Sequence, residues 1–245
     1  MIRPQNISFG DWVIIKSYHP LKLKRILKKV NNHYPIQYLI GHVNFCGTKI
    51  IVNKKVLIPR FETELLVDKC LKYFEKSKKK LEVLEIGTGS GCIAISLFKA
   101  LQAKITAVDI SKKALKVAKK NAKLNQAKIH FLYQDILKSK INGDYDLIIS
   151  NPPYIDLGET VDDKTKYEPK IALYAKQKGL AFYEEIIKKA VGHINPKGLI
   201  AFEIGSGQGQ KVKSIAERYF DNCEITVEKD FSNKDRYLFI YNSKL

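Results

Sequence analysis

Asn151-Pro152-Pro153-Tyr154 is the stretch of this sequence whose residue types and spacing most directly suggest chemistry. A planar amide or aromatic-amine nitrogen is a poor nucleophile because its lone pair is delocalised. The Asn151 side-chain oxygen and the Pro152 carbonyl can each accept a hydrogen bond from an NH2 group. That arrangement shifts electron density onto the nitrogen and fixes the direction of its lone pair. Two prolines stiffen the loop, so the acceptor geometry exists before anything binds. Tyr154 can lie against the planar group and exclude water. The expected reaction is methyl transfer from a sulfonium donor to such a nitrogen. Asn151, Pro152 and Tyr154 are the expected catalytic residues, and all four, Pro153 included, the expected acceptor site. No carboxylate or histidine is needed as a general base, because the proton can leave after transfer.

A second constellation lies upstream, in Glu85-Ile86-Gly87-Thr88-Gly89-Ser90-Gly91. Glycines at a strand-to-helix turn let the backbone approach a ligand closely, and the amides of the helix N-terminus face a polar or anionic group. The dinucleotide fingerprint is G-x-G-x-x-G, but Cys92 takes its sixth position here, so the spacing is G-x-G-x-G and a nicotinamide or flavin dinucleotide is disfavoured. Asp109 lies 18 residues after Gly91 at the end of an apolar run, where a carboxylate can accept both hydroxyls of a ribose. Asp135 suits an adenine amine, with Ile136 beside the ring. S-adenosyl-L-methionine is therefore the expected cofactor, leaving as S-adenosyl-L-homocysteine. Its expected contacts are Gly87, Thr88, Gly89, Ser90, Gly91, Asp109, Asp135 and Ile136, with no metal.

These residues need a frame that brings strand ends together. From residue 81 apolar strands alternate with amphipathic helices. Strands are expected at 81–86, 104–108, 128–132, 145–150, 199–204, 224–228 and 236–241. Helices are expected at 92–101, 111–124, 180–194 and 208–220, with one more at 63–76 before the first of these strands. The last two strands have no helix-length segment between them and must be antiparallel. The fold class is α/β: a Rossmann-like, class I methyltransferase arrangement with a mostly parallel seven-stranded sheet and an antiparallel last strand. Ahead of it, one short basic helix is expected at 21–30, with Leu23, Ile26, Leu27 and Val30 on one face. A β-hairpin follows, turning at Gly47, and then an extended loop, since Pro59 keeps Ile58 out of the helical region. The expected division is a basic helical segment at 1–40, hairpin and loop at 41–60, and the transferase domain at 61–245.

Apolar residues make up 45% of the 245, enough for one large core. No run is long enough for a membrane helix, the N-terminus lacks the apolar stretch of a secretory signal, and a cytoplasmic monomer is expected. The four cysteines are widely spaced and are expected to be free thiols. A net charge of +18 would suit a nucleic-acid partner, yet much of it reflects a lysine-rich composition. Residues 1–60 hold eleven Lys/Arg against the lone acid Asp11, so an acidic partner is expected at that end.

With these residues in view, the chain resembles the HemK/PrmC family, the protein-(glutamine-N5) methyltransferases that modify peptide-chain release factors. The resemblance covers over four-fifths of the chain, from Tyr34 onward. It is carried by Pro35-Ile36-Gln37-Tyr38-Leu39-Ile40-Gly41, Phe45-Cys46-Gly47, the signature loop Leu57-Ile58-Pro59-Arg60-Phe61-Glu62-Thr63-Glu64, Glu203-Ile204-Gly205 and Gln208-Gly209-Gln210. Phe61 stands where the family usually has a second proline, and the helical segment before the hairpin is shorter than usual. The resemblance implies a substrate: the glutamine of the Gly-Gly-Gln loop of class I release factors. It also implies that the cofactor touches Asn151 and that an N-terminal helical domain helps grip the release factor. The basic charge of helix 21–30 leads to the further expectation that Lys22, Lys24, Arg25, Lys28 and Lys29 contact an acidic surface of that partner. The tetrapeptide's chemistry alone leaves open a nucleic-acid methyltransferase acting on adenine N6 or guanine N2. The signature loop and the lack of a sizeable target-recognition insertion favour the protein amide.

Overall fold

A computed structural model describes residues 3, 7, 9–18, 23–31 and 33–243. Among the described residues the N-terminal region holds three helices where the sequence suggested one: α1 (Phe9–Tyr18), α2 (Leu23–Asn31) and the short α3 (Ile36–Ile40). They bury Ile7, Trp12, Ile15, Ile26, Val30 and Ile36 in a small core of their own. In α1 the apolar residues Trp12, Val13, Ile14 and Ile15 are consecutive, so no helical stripe marks it in the sequence. Of the expected basic helix, Leu21 and Lys22 lie outside the described residues, as do the side chains of Lys24 and Arg25. Lys28 and Lys29 are exposed.

Gly41, left-handed at φ +87°, ends α3 and leads into the hairpin β1 (His42–Phe45) and β2 (Thr48–Ile51). Both turn residues have positive φ, Cys46 at 46° and Gly47 at 69°, as a tight two-residue hairpin requires. A side chain seldom takes that conformation; here Glu64 holds the turn by accepting the Cys46 amide at 3.0 Å. Helix α4 (Phe61–Phe74) follows an extended loop and begins two residues earlier than expected, with Arg60 still extended before it.

The main sheet comprises β3 (Glu82–Ile86), β4 (Lys104–Asp109), β5 (Ile129–Tyr133), β6 (Tyr145–Ser150), β9 (Ile194–Glu203), β10 (Glu224–Lys229) and β11 (Asp235–Tyr241). Their order is β10-β11-β9-β6-β3-β4-β5, and β11 runs antiparallel to both neighbours. Two-residue strands β7 (Ile155–Asp156) and β8 (Tyr174–Ala175) pair separately within the long loop after β6. Alternation along the strands feeds two apolar layers. Val83, Leu147, Ile149 and Phe239 face α4, α5 (Cys92–Leu101) and α6 (Lys112–Leu124); Leu84, Ile148, Ile200 and Ile240 face α7 (Ala181–Ala190) and α8 (Gly209–Glu217).

The segment expected as a helix through 194 and a strand from 199 is divided differently. Gly192, left-handed at φ +80°, stops α7, and the chain turns at once into a ten-residue β9. Asn195-Pro196-Lys197-Gly198 forms a bulge there, so that Tyr145 pairs with Ile194 but Leu147 pairs with Leu199. Proline inside a strand is tolerated at such a bulge, which is why the strand is hard to read. The helix expected at 208–220 is regular only over α8. All four cysteines are free. Among the described residues no helix is long and apolar enough to cross a membrane.

Candidate active site

The chain reverses its direction of travel across the sheet between β3 and β6, and the crevice at their carboxyl ends is the natural ligand position in such a fold. The glycine turn, strand ends and signature loop all converge there, around two cavities of about 300 and 740 Å3.

The smaller cavity lies over the glycine turn. Gly87, Gly89 and Gly91 are left-handed at φ +77°, +55° and +81°, and the amides of Gly87 and Thr88 donate to the Val108 carbonyl. Gly87 and Gly89 line the cavity; Thr88, Ser90 and Gly91 do not, and those three expected contacts lie behind it. Thr88 is buried and donates its hydroxyl to Glu85 at 2.6 Å, while Ser90 offers its carbonyl to Asn121. Gly91 is a packing residue, since a Cβ there would stand 3.2 Å from that of Ala118. Glu85 is wholly buried with one carboxylate oxygen unpartnered, and burial pushes its carboxyl up to about 8.

Asp109 reaches into the same cavity and also braces it. One oxygen accepts the Gly89 amide at 2.8 Å and the other the Ser111 amide at 2.7 Å. Burial raises its pKa, while these two bonds oppose the rise. Asp135 sits at the far end, accepting the Leu137 amide, with Ile136 beside it. The walls between are largely apolar, including Ile110 and Phe182.

The larger cavity is bounded on one side by the N-terminal helices, through Val30 and Ile36, and on the other by Tyr154 and Glu203. Leu57, Asn151 and Ala172 line both cavities, so the wall between them carries the asparagine of the tetrapeptide. Pro152 and Pro153 line the smaller cavity and Tyr154 the larger one. The tetrapeptide therefore straddles the partition.

Asn151 is held in one orientation. Its amide nitrogen donates to the Thr63 hydroxyl at 3.1 Å, and that hydroxyl donates to the buried Glu203 carboxylate at 2.6 Å. Among the described residues no donor reaches the Asn151 Oδ1 or the Pro152 carbonyl, so both acceptors are open. Tyr154 is fixed through its backbone: Gln208 Nε2 donates to its carbonyl at 3.0 Å, and Gln208 Oε1 accepts the Gly205 amide at 2.9 Å. Burial pushes its phenol up to about 12.

The signature loop is fastened at Arg60, Thr63 and Glu64 and through the Ile58 amide. The buried Glu168 carboxylate accepts the Ile58 amide and the Arg60 guanidinium, Thr63 holds Asn151, and Glu64 holds the hairpin turn. Phe61, where a proline is usual, is exposed and stacks on Phe231. The roles of Thr63, Glu168, Glu203 and Gln208 were not legible beforehand. An acidic residue closing an otherwise apolar strand, Leu199-Ile200-Ala201-Phe202-Glu203, was the available signal for one of them.

The model of the Methyltransferase small domain matches residues 61–167. Among known proteins, the chain is 42% identical to the release factor glutamine methyltransferase of Lactococcus lactis over 222 residues, 89% of this chain and 81% of that one. It is 38% identical to the protein of that name from Bacteroides thetaiotaomicron, over 95% of this chain and 85% of that one. Among solved structures, a methyltransferase from Pyrococcus furiosus superposes with a TM-score of 0.61 at 18% identity, covering 90% of this chain and 99% of the other.

Proposed function

The chain belongs to the release factor glutamine methyltransferase family, and from that premise we propose how its two cavities work. The smaller takes S-adenosyl-L-methionine and the larger takes the Gly-Gly-Gln loop of a class I release factor, whose glutamine is methylated on its side-chain nitrogen N5. The observation that carries this reading is Asn151 on the shared wall, with its NH2 tied back to Thr63 and its oxygen open.

The smaller cavity fits the cofactor in chemistry. An apolar slot ends in two carboxylates, Asp109 and Asp135, while Lys55 is the one cationic side chain among its lining residues. Asp109 keeps lone pairs for ribose hydroxyls beyond the two backbone amides it holds. Gly87 and Gly89 present backbone without a Cβ. Bound there, S-adenosyl-L-methionine supplies a sulfonium-activated methyl group.

On the acceptor side, Asn151 Oδ1 and the Pro152 carbonyl take the two hydrogens of the glutamine NH2. Each bond draws the hydrogen away from nitrogen and localises density there, and the pair together fix the nitrogen's orientation toward the smaller cavity. The Tyr154 ring covers the planar amide and keeps water from competing. A glutamine flanked by glycines suits this site, because glycine brings no side chain into the larger cavity.

The test is transfer of labelled methyl from S-adenosylmethionine to purified release factor, to the same factor with the loop glutamine replaced by alanine, and to DNA and RNA. Label on the intact loop alone is the expected result. Label on adenine or guanine amines instead would replace the proposed substrate.

A further inference from the structure

We propose that Glu203, acting through the Thr63 hydroxyl, sets which way the Asn151 side-chain amide faces and so keeps its oxygen turned to the methyl acceptor. The inference rests on the methyl-transfer reading above and adds two positioning residues to it.

The positions of the protons along this chain of hydrogen bonds decide the orientation. An amide side chain has a donor end and an acceptor end of nearly equal size, so a site that needs the acceptor end must bias the choice. A carboxylate only accepts. While Glu203 is ionised, the Thr63 proton must point at it, across 2.6 Å. The lone pair left on Thr63 then faces Asn151 at 3.1 Å and can be met only by an N–H. The NH2 end of Asn151 is thereby consumed and Oδ1 is left open. If Glu203 is protonated, its own O–H can donate to Thr63, whose proton is then free to meet Asn151 Oδ1 instead. The bias is lost, and the flipped amide presents donors to a substrate NH2 that can only repel them. Thr63 and Glu203 are both buried, and the Thr63 hydroxyl bonds to both the carboxylate and Asn151.

The surroundings place this switch inside the working pH range. Burial drives the Glu203 carboxyl up to about 7, opposed by the Thr63 bond. The charges facing it come from several elements. Arg236 on β11 and Arg60 before α4 lower its pKa, while Glu62 on α4 raises it. Tyr237 on β11, Tyr183 on α7 and Tyr154 complete the ring of titratable groups, all with pKa values raised by burial and so neutral near pH 7. Arg236 is itself paired with Asp230 at 3.1 Å, and the Tyr183 hydroxyl donates to the Glu203 carbonyl at 3.0 Å.

The experiment compares wild type, Thr63→Ser, Thr63→Val and Glu203→Gln in methylation of release factor between pH 6 and 8.5, with cofactor binding followed by calorimetry. We expect wild-type kcat to rise through this range with a midpoint near 7. Glu203→Gln, isosteric but able to donate as well as accept, should lose on the order of tenfold in kcat at pH 8, equivalent to one hydrogen bond misdirected in the transition state. Its profile should be flat where the wild type rises. Thr63→Val should lose about tenfold or more, and Thr63→Ser should restore activity to within about threefold of wild type. All three should bind S-adenosylmethionine like wild type, since neither residue lines the cofactor cavity.

A Glu203→Gln enzyme that keeps the wild-type pH limb, or a Thr63→Val enzyme with wild-type kcat, would overturn the proposal. A purely structural role would lower activity evenly at every pH and leave the limb in place. An active wild type with insensitive variants therefore defeats the relay alone. Transfer to a nucleic-acid amine rather than glutamine defeats the substrate assignment, and the same variants still decide the relay on that acceptor.

Discussion

Gly179 occupies a position where a single added carbon should separate catalysis from cofactor binding. It is left-handed at φ +82°, and a Cβ there would stand 2.0 Å from the Tyr154 carbonyl oxygen and 2.5 Å from Gln208 Nε2. Forcing alanine into that conformation costs about 1–2 kcal/mol. Relieving the contact means moving the Tyr154 carbonyl by about 1 Å, with overpacking of about 1–3 kcal/mol. It also breaks the Gln208-to-Tyr154 hydrogen bond, worth about 1 kcal/mol. Gly192 supplies the control: at φ +80° it has the same backbone strain but nothing within 4 Å of its Cβ position. Gly179→Ala should thus be less stable than Gly192→Ala by about 2–4 kcal/mol in urea unfolding. Displacing Tyr154 by about 1 Å should lower methylation on the order of 100-fold. Cofactor affinity should hold within about twofold, because neither Gly179 nor Tyr154 lines the smaller cavity. A Gly179→Ala protein as stable as Gly192→Ala and as active as wild type would show that Tyr154 is not held in the way described.

Asp109→Ala removes the ribose acceptors and also strands the Gly89 amide, so calorimetry should show S-adenosylmethionine binding weakened on the order of 100-fold; an affinity within threefold of wild type would remove Asp109 from the site. Asn121→Leu should destabilise the chain by about 3 kcal/mol or more, because it leaves the Ile51 amide and the Ile51 and Ser90 carbonyls without their partner. A urea midpoint equal to wild type would refute that. Stability should also fall as pH rises. Glu85 and Glu203 have folded pKa values raised to about 8 and about 7, so their contribution is intact below the unfolded value near 4.5 and lost as pH rises through the folded values. The carboxylates held low, such as Asp146 and Asp162, exert their influence only below the ordinary aspartate range and do not oppose this. Unfolding free energy at pH 8.5 should be lower than at pH 6 by a few kcal/mol, and Glu85→Gln should flatten the difference; a slope of opposite sign would exclude both groups as its source.

Most of the sheet was legible because its strands are short apolar runs closed by glycine or charged residues, and helices such as α6 and α7 carry a clear stripe. What escaped had no periodic signal to give. The helix α1 masses its apolar residues consecutively, α3 is five residues long, and β7 and β8 have two residues each. The site divided along a similar line. Gly87, Asp109 and Asn151 sit at strand ends, where topology alone brings residues together. Thr63 and Glu203 meet across 140 positions of sequence, and Ile58 and Glu168 across 110. Nothing local distinguishes such a threonine from one that merely opens a helix. Thr88, Ser90 and Gly91 show the converse: a motif is read as a block, yet its members face different ways.

The tether between Asn151 and Thr63 bears on how far this enzyme can be taken apart. Helix α4 precedes the whole seven-stranded sheet, and the exposed residues 75–80 between α4 and β3 look like a natural splice point for exchanging recognition modules. A chimera joined there would receive Asn151 from one parent and the group that aims it from the other. Joined ahead of Phe61, it would carry both from the same parent. The functional seam of the molecule therefore lies one helix earlier than its most convenient linker, and the unit that can be transplanted begins with α4.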